Sequence, residues 1–129
     1  MPLDPANLPD EVVAFARERH LATLTTLRAD GSPHVVPVGF TLDPDTRTVR
    51  VITWATSMKT RHAARGGRAA VSQVDGGRWL TFEGTVSVSS EPDEVANAVA
   101  MYAERYREPK KRDDRVVIRI AVDKVMGRA

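Results

Sequence analysis

Ser57 and Lys59 are the two residues of this chain whose types and spacing best suit chemistry. They lie in VRVITWATSMKTRHAARGG, from Val49 to Gly67, a run that predicts a β-strand feeding a short helix. The first amides of a helix have no partner inside it. A hydroxyl and an ammonium beside them make a seat for a phosphate group. The competing use is structural, because serine is a favoured N-cap and many helices carry a lysine in their first turn. The chain holds no Walker or Rossmann glycine pattern, so a phosphate-bearing ligand has no rival segment to occupy.

Other chemistries find less support. His20, His34 and His62 are too dispersed for a local motif such as His-Glu-x-x-His, and no metal is predicted. With no cysteine, disulfides, thiolate metal sites and thiol nucleophiles are excluded. There is no Gly-x-Ser-x-Gly elbow, which argues against a serine hydrolase. Glu83 is a lone acid with no identifiable carboxylate partner, so no catalytic acid, base or proton donor is assigned.

The 129 residues predict one domain, residues 1–129, with ordinary hydrophobic (42%) and charged (28%) content. The net charge is +2, and fifteen of the nineteen cations are arginine, suited to bidentate binding of carboxylate or phosphate. Aromatics make up only 5%, too few for base-stacking platforms, and no nucleic-acid motif is present. An acidic small molecule is the better inference. No apolar run approaches the roughly 20 residues that span a bilayer. The polar, acidic opening MPLDPANLPDE resembles neither a signal nor a transit peptide, so a cytoplasmic protein is predicted.

The elements that must position these residues are mostly strands. Asn7 to Arg19 predicts a helix with Val12, Val13, Phe15 and Ala16 on its apolar stripe. His20 to Arg28 and Pro33 to Leu42 form a hairpin about Ala29-Asp30-Gly31-Ser32, followed by a strand over Thr48 to Trp54. A short helix from about Ser57 to Arg65 ends at Gly66-Gly67. Arg68 to Val74 and Arg78 to Ser89 are strands joined by Asp75-Gly76-Gly77. Pro92 to Tyr106 is a helix, and Arg115 to Val122 is a closing strand that extends toward Met126. About six strands with regular turns predict a mainly β fold with peripheral helices, a closed or nearly closed antiparallel barrel. Arg107 to Asp114 is the only linker-like piece.

Three blocks appear in an order typical of one family: LATLTTLRADGSPHVVPVGF (Leu21 to Phe40), TWATSMK (Thr53 to Lys59) and SQVDGGRWLTFEG (Ser72 to Gly84). From about Leu8 to Val125 the chain resembles the split β-barrel proteins related to pyridoxamine 5′-phosphate oxidase. More narrowly, it resembles the branch that uses coenzyme F-420, a 5-deazaflavin, in F-420-dependent biliverdin reductases. The resemblance implies a split barrel, a homodimer with its cofactor cleft between subunits, and hydride transfer to a conjugated acceptor such as biliverdin.

It also implies site residues. Family members hold the cofactor phosphate with Arg-x-Lys-x-x-Asn; the matching positions here are Ser57, Lys59 and His62, so only Lys59 keeps the pattern. Met58 lies between the first two. The Ser57 hydroxyl could still donate to a phosphate oxygen, and Arg61 could restore the charge. Pro37, Val38 and Gly39 would lie against the tricyclic ring. Pro37 removes an amide from the ladder and Gly39 a side chain, though an edge strand with a bulge gives the same pattern. Thr53 and Trp54 would line the ring and its sugar-like chain. Gln73, Arg78 and Trp79 would come from the second subunit, Trp79 serving equally well in a core or interface.

Arg105, Arg107, Lys110, Lys111, Arg112 and Arg115, diluted by Glu104, Glu108, Asp113 and Asp114, suit a solvated loop. Alternatively they attract the polyglutamate tail of the cofactor or the propionates of a substrate. Two further functions remain open: an FMN-dependent oxidase of the pyridoxamine phosphate type, and a non-enzymatic flavin, deazaflavin or haem-related binding protein.

Overall fold

In the computed structural model, which describes residues 2–129, eight strands share one antiparallel sheet and three helices lie against it. The elements are β1 (Pro2–Leu3), α1 (Asp10–Arg17), β2 (Ala22–Leu27), β3 (Pro33–Val38), β4 (Thr41–Asp43) and β5 (Thr48–Trp54). They continue with α2 (Met58–Ala64), β6 (Arg68–Asp75), β7 (Arg78–Ser89), α3 (Pro92–Arg105) and β8 (Arg115–Arg128). The strand order is β3-β2-β6-β7-β8-β5-β4, and β1 pairs with the far end of β8. The expected mainly β, split-barrel class holds. The expected closure and the count of about six strands do not: there are eight strands, and β3 and β4 end the sheet without pairing to each other among the described residues.

The opening has a local cause. The sequence predicts one arm from Pro33 to Leu42, but its backbone leaves the ladder at Gly39 and Phe40. The Phe40 amide donates to Tyr106 Oη at 3.3 Å, and the Phe40 carbonyl accepts from Arg105 Nη1 at 2.5 Å. Side chains of α3 thus satisfy backbone groups that a continuous strand would have paired. The chain crosses there from one end of the sheet to the other. Pro37 sits on the edge strand β3, where a missing amide costs no ladder bond.

Strand alternation builds the core. Leu24 of β2, Val49 and Val51 of β5, Val71 of β6, Leu80 and Phe82 of β7, and Ile118 and Ile120 of β8 point inward and are buried. Phe15 of α1 and Phe40 join them, with Phe40 and Phe82 rings 5.7 Å apart. In β8 the inward phase changes between Val122 and Val125. Opposite it Glu83 pairs with Lys124 but Gly84 with Val122, so Asp123 is an extra, bulged residue. Among the described residues no helix is long and apolar enough to cross a membrane.

Candidate functional site

A cleft opens where the end of β3, the end of β5 and the start of α2 meet α3 and the segment after it. Pro37, Val38, Gly39, Val51, Ile52, Thr53, Trp54, Lys59, Tyr102, Pro109 and Arg115 line it. Six of the residues singled out in the sequence are therefore brought together: Pro37, Val38, Gly39, Thr53, Trp54 and Lys59. Tyr102, Pro109 and Arg115 were not singled out for the cleft. Tyr102 and Pro109 carry no local motif and Arg115 is marked only as part of the basic run; all three reach the cleft through the packing of α3 and the turn into β8.

The cations of the cleft have no carboxylate partners among the described residues. Lys59 Nζ stands 4.6 Å from the centroid of the Trp54 ring, and partial burial lowers its pKa. The Arg112 guanidinium is 5.0 Å from the same ring but is paired with Asp114 at 2.9 Å. Arg115 donates to the Lys110 carbonyl. Arg61, which could have restored the missing family charge, does not line the cleft; its Nη1 lies 3.9 Å from Met58 Sδ. Met58 itself is half exposed at the start of α2. Arg115 supplies the second cation.

Ser57 plays a different part from the one its position suggests. It caps α2, and its Oγ accepts from the Thr60 amide at 3.2 Å and from Thr53 Oγ1 at 3.1 Å. Thr60 Oγ1 gives its only proton to the Trp54 carbonyl at 2.8 Å. The 2.7 Å contact between Ser57 and Thr60 must therefore carry the Ser57 proton. Each hydroxyl proton in the series is committed, and Ser57 has none left for a phosphate. This ordered chain fixes the β5–α2 turn and so the position of Lys59.

His62, the third position of the family pattern, also faces elsewhere. It is buried against His34 of β3, with ring centroids 4.8 Å apart, and its Nδ1 accepts from Arg65 Nη2 at 2.7 Å. That bond assigns the neutral ring's proton to Nε2. Burial, followed by the charges of Arg65, His34, Arg28 and Arg61, lowers the His62 pKa below its ordinary 6.5. The unfolded chain then takes up this proton before the native one does. The His62 contribution to stability is complete above about pH 6.5 and falls as the pH drops through the window below it, levelling off under the native pKa. Urea midpoints measured between about pH 7.5 and pH 5 should decline in the native sequence. The decline should be shallower in His62→Gln; equal slopes would remove His62 as the cause.

Gly39 does leave room, but two tyrosines use it. A Cβ at Gly39 would come within 3.0 Å of both Tyr102 Cε2 and Tyr106 Cε2. The rings are 4.9 Å apart, and burial raises the Tyr106 phenol above its ordinary pKa while its Oη donates to the His20 carbonyl at 2.6 Å.

Gln73, Arg78 and Trp79 are not brought to the cleft of this chain. The Gln73 amide is fully buried, with Nε2 donating to the Phe15 carbonyl at 3.0 Å and Oε1 accepting from Arg105 Nη2 at 2.8 Å. Arg78 covers the Phe15 ring at 4.3 Å and pairs with Asp75 and, at 2.8 and 2.9 Å, with Glu18. Its hydrogen bonds, followed by that of His20, hold the Glu18 carboxyl at about 2. Glu18, His20 and Asp75 place ligand-type atoms within 4.8 Å of one another, but Arg78 already bridges the two carboxylates. Trp79 is half buried on β7, opposite Val74 and Arg128.

The predicted basic run is divided by the fold. Arg105 turns inward, donating to the Glu18 carbonyl at 2.9 Å as well as to Phe40 and Gln73, with Phe40 4.5 Å beneath its guanidinium. It is an internal brace, which removes it from any surface cluster. Arg107, Lys110 and Lys111 remain outside.

Residues 8–128 match the pyridoxamine 5′-phosphate oxidase family. The F-420H2-dependent biliverdin reductase of Mycobacterium tuberculosis is 54% identical over 123 residues, covering 95% of this chain and 90% of that protein. Among solved structures, a conserved hypothetical protein of M. tuberculosis superposes with a TM-score of 0.79 at 23% identity, covering 94% of this chain and 84% of that one. An F-420 reductase superposes at 0.75 with 23% identity, covering 92% and 98%. At these identities the two structures bear on the fold alone.

Proposed function

The chain belongs to the pyridoxamine 5′-phosphate oxidase family, and from that membership we propose that it is a coenzyme F-420-dependent oxidoreductase that reduces biliverdin to bilirubin. The observation that carries this is the 54% identity to the F-420H2-dependent biliverdin reductase across nearly all of both chains. The residues of the cleft fit the cofactor. An edge strand lacking the Pro37 amide, the Trp54 ring, and two cations without acid partners, Lys59 and Arg115, suit a flat ring carrying a phosphate.

When bound, the reduced deazaflavin supplies a hydride from its central ring carbon. The chain's own part is positional. Pro37, Val38 and the backbone of Gly39 would face the ring, while Thr53 and Trp54 would flank it. Lys59 and Arg115 would hold the anionic end. The protein must hold the acceptor carbon roughly 3–3.5 Å from the donor carbon. Conversion of biliverdin to bilirubin would take up that hydride and one proton.

We further propose a cytoplasmic homodimer. The cleft within one chain is about 190 Å³, below the roughly 300–1,000 Å³ of most small-molecule sites. Leu27, Val35, Met58 and Val74 are large apolar side chains left exposed. In that arrangement Arg78 and Trp79 of each copy would approach the other's cleft.

Titration with oxidised F-420 and with FMN, followed by biliverdin reduction with reduced F-420, tests the reading. F-420 binding with bilirubin formation supports it. F-420 binding without turnover moves the search to another acceptor, and binding of FMN alone overturns the cofactor assignment. Light scattering that returned a monomer would remove the shared-site roles.

A further inference from the structure

On the other side of Tyr102 from the cofactor cleft lies a second cavity, of about 330 Å³, lined by Arg19, His20, Leu21, Tyr102, Tyr106 and Arg107. Tyr102 belongs to both walls, so whatever fills the second cavity lies next to whatever fills the first. Most arginines of this chain are engaged. Arg50, Arg68, Arg78, Arg112 and Arg119 pair with acids, and Arg28, Arg65, Arg105, Arg115 and Arg128 donate to carbonyls. Arg17, Arg19, Arg47, Arg61 and Arg107 have neither kind of partner among the described residues, and of these Arg19 and Arg107 face this cavity.

The two acids in reach of the His20 ring are already neutralised. Glu18 and Asp75 are bridged by Arg78, and the His20 ring lies 3.2 Å from Glu18. The remaining lining is apolar and aromatic. Leu21 is 68% exposed, and the Tyr102 and Tyr106 rings stand 4.9 Å apart. The Tyr106 hydroxyl is committed to the His20 carbonyl, whereas that of Tyr102 has no hydrogen-bond partner among the described residues.

We propose that this cavity is the acceptor subsite, in which Arg19 and Arg107 bind two carboxylates of a conjugated dicarboxylate whose π-system lies over Leu21 and Tyr102. The proposal rests on the reading of the neighbouring cleft as the F-420 site and specifies the class of acceptor presented to it. Guanidinium forks match carboxylates bidentately, and a flat conjugated body needs apolar and aromatic walls. Two cations on one rim select a dianion over a neutral analogue.

The test compares biliverdin with its dimethyl ester, which keeps the conjugated system and removes both charges. The native enzyme should show a higher kcat/KM for the diacid. Arg19→Gln and Arg107→Gln should each lower that value by about twofold to fivefold, as expected for exposed charge pairs, and so lower the diacid-to-ester ratio. Pigment binding, followed by its visible absorbance, should weaken in parallel, while F-420 affinity stays at the native value. Diacid-to-ester ratios equal to the native ratio in both variants, with F-420 binding intact, would overturn the subsite alone. Failure of the native protein to bind F-420 would overturn both readings.

Discussion

Replacing Lys59 by Met should weaken coenzyme F-420 binding by about tenfold to a hundredfold and leave the urea midpoint nearly unchanged. A hydrogen bond to a charged group contributes about 1.5–3 kcal/mol, and each 1.4 kcal/mol is tenfold in affinity. Met keeps the aliphatic stem that packs beside Trp54 and removes the charge that has no acid partner. Lys59→Arg restores the charge and should recover most of the binding. Calorimetric titration at two salt concentrations separates the effect from a general loosening. The native protein should lose affinity as salt rises, and the Met variant should lose less. An unaltered dissociation constant in Lys59→Met would place the cofactor's phosphate elsewhere, with Arg115 the next residue to examine.

Gly84→Ala should destabilise the protein by about 3 kcal/mol or more, among the larger effects of a single methyl group. A Cβ there would stand 1.9 Å from the Ala121 carbonyl oxygen and 2.6 Å from its carbon. Both atoms belong to the backbone of β8, so no flexible side chain can yield. The strands must separate where the Asp123 bulge already bends them. Gly77→Ala is the control. Its nearest neighbour would be Arg128 Nη2 at 3.9 Å, so its urea midpoint should stay near the native one. Equal midpoints for the two variants would mean that the β7–β8 contact relaxes without cost.

Where local pattern governs, the chain is legible. The strand Thr48 to Trp54 and the strand Arg78 to Ser89 fall where alternation places them, and the helices differ from their expected ends by a few residues. The two-residue β1 carries no pattern of its own and exists only because β8 lies beside it. The extent of β8 is obscured at Asp123 and Lys124, where the bulge interrupts the alternation that continues through Val125. The arm ending at Leu42 divides because Arg105 and Tyr106, some 65 residues later, take the backbone groups of Phe40.

The site divides in the same way. Thr53, Trp54 and Lys59 flank one turn and are legible from it, whereas Pro37, Val38 and Gly39 lie on the far end strand and are joined to them only through the family resemblance. Tyr102 and Arg115 come from remote elements. The loss of Ser57 as a donor follows from a proton count that needs Thr53 and Thr60 in place. Residue types announce capacity, and packing decides which capacity is used.

The arrangement of β8 has a consequence for the time course of folding. Its three partners, β1, β5 and β7, all precede it in the chain, and Pro2 pairs with Met126 across almost the whole length. Such pairings carry a large loop-closure entropy and place the fold among slow, high-contact-order topologies, on the order of milliseconds to seconds. Until β8 docks, β5 and β7 each present an open edge to any other strand in reach. The molecule's exposure to aggregation is therefore concentrated in the interval before its final strand is added.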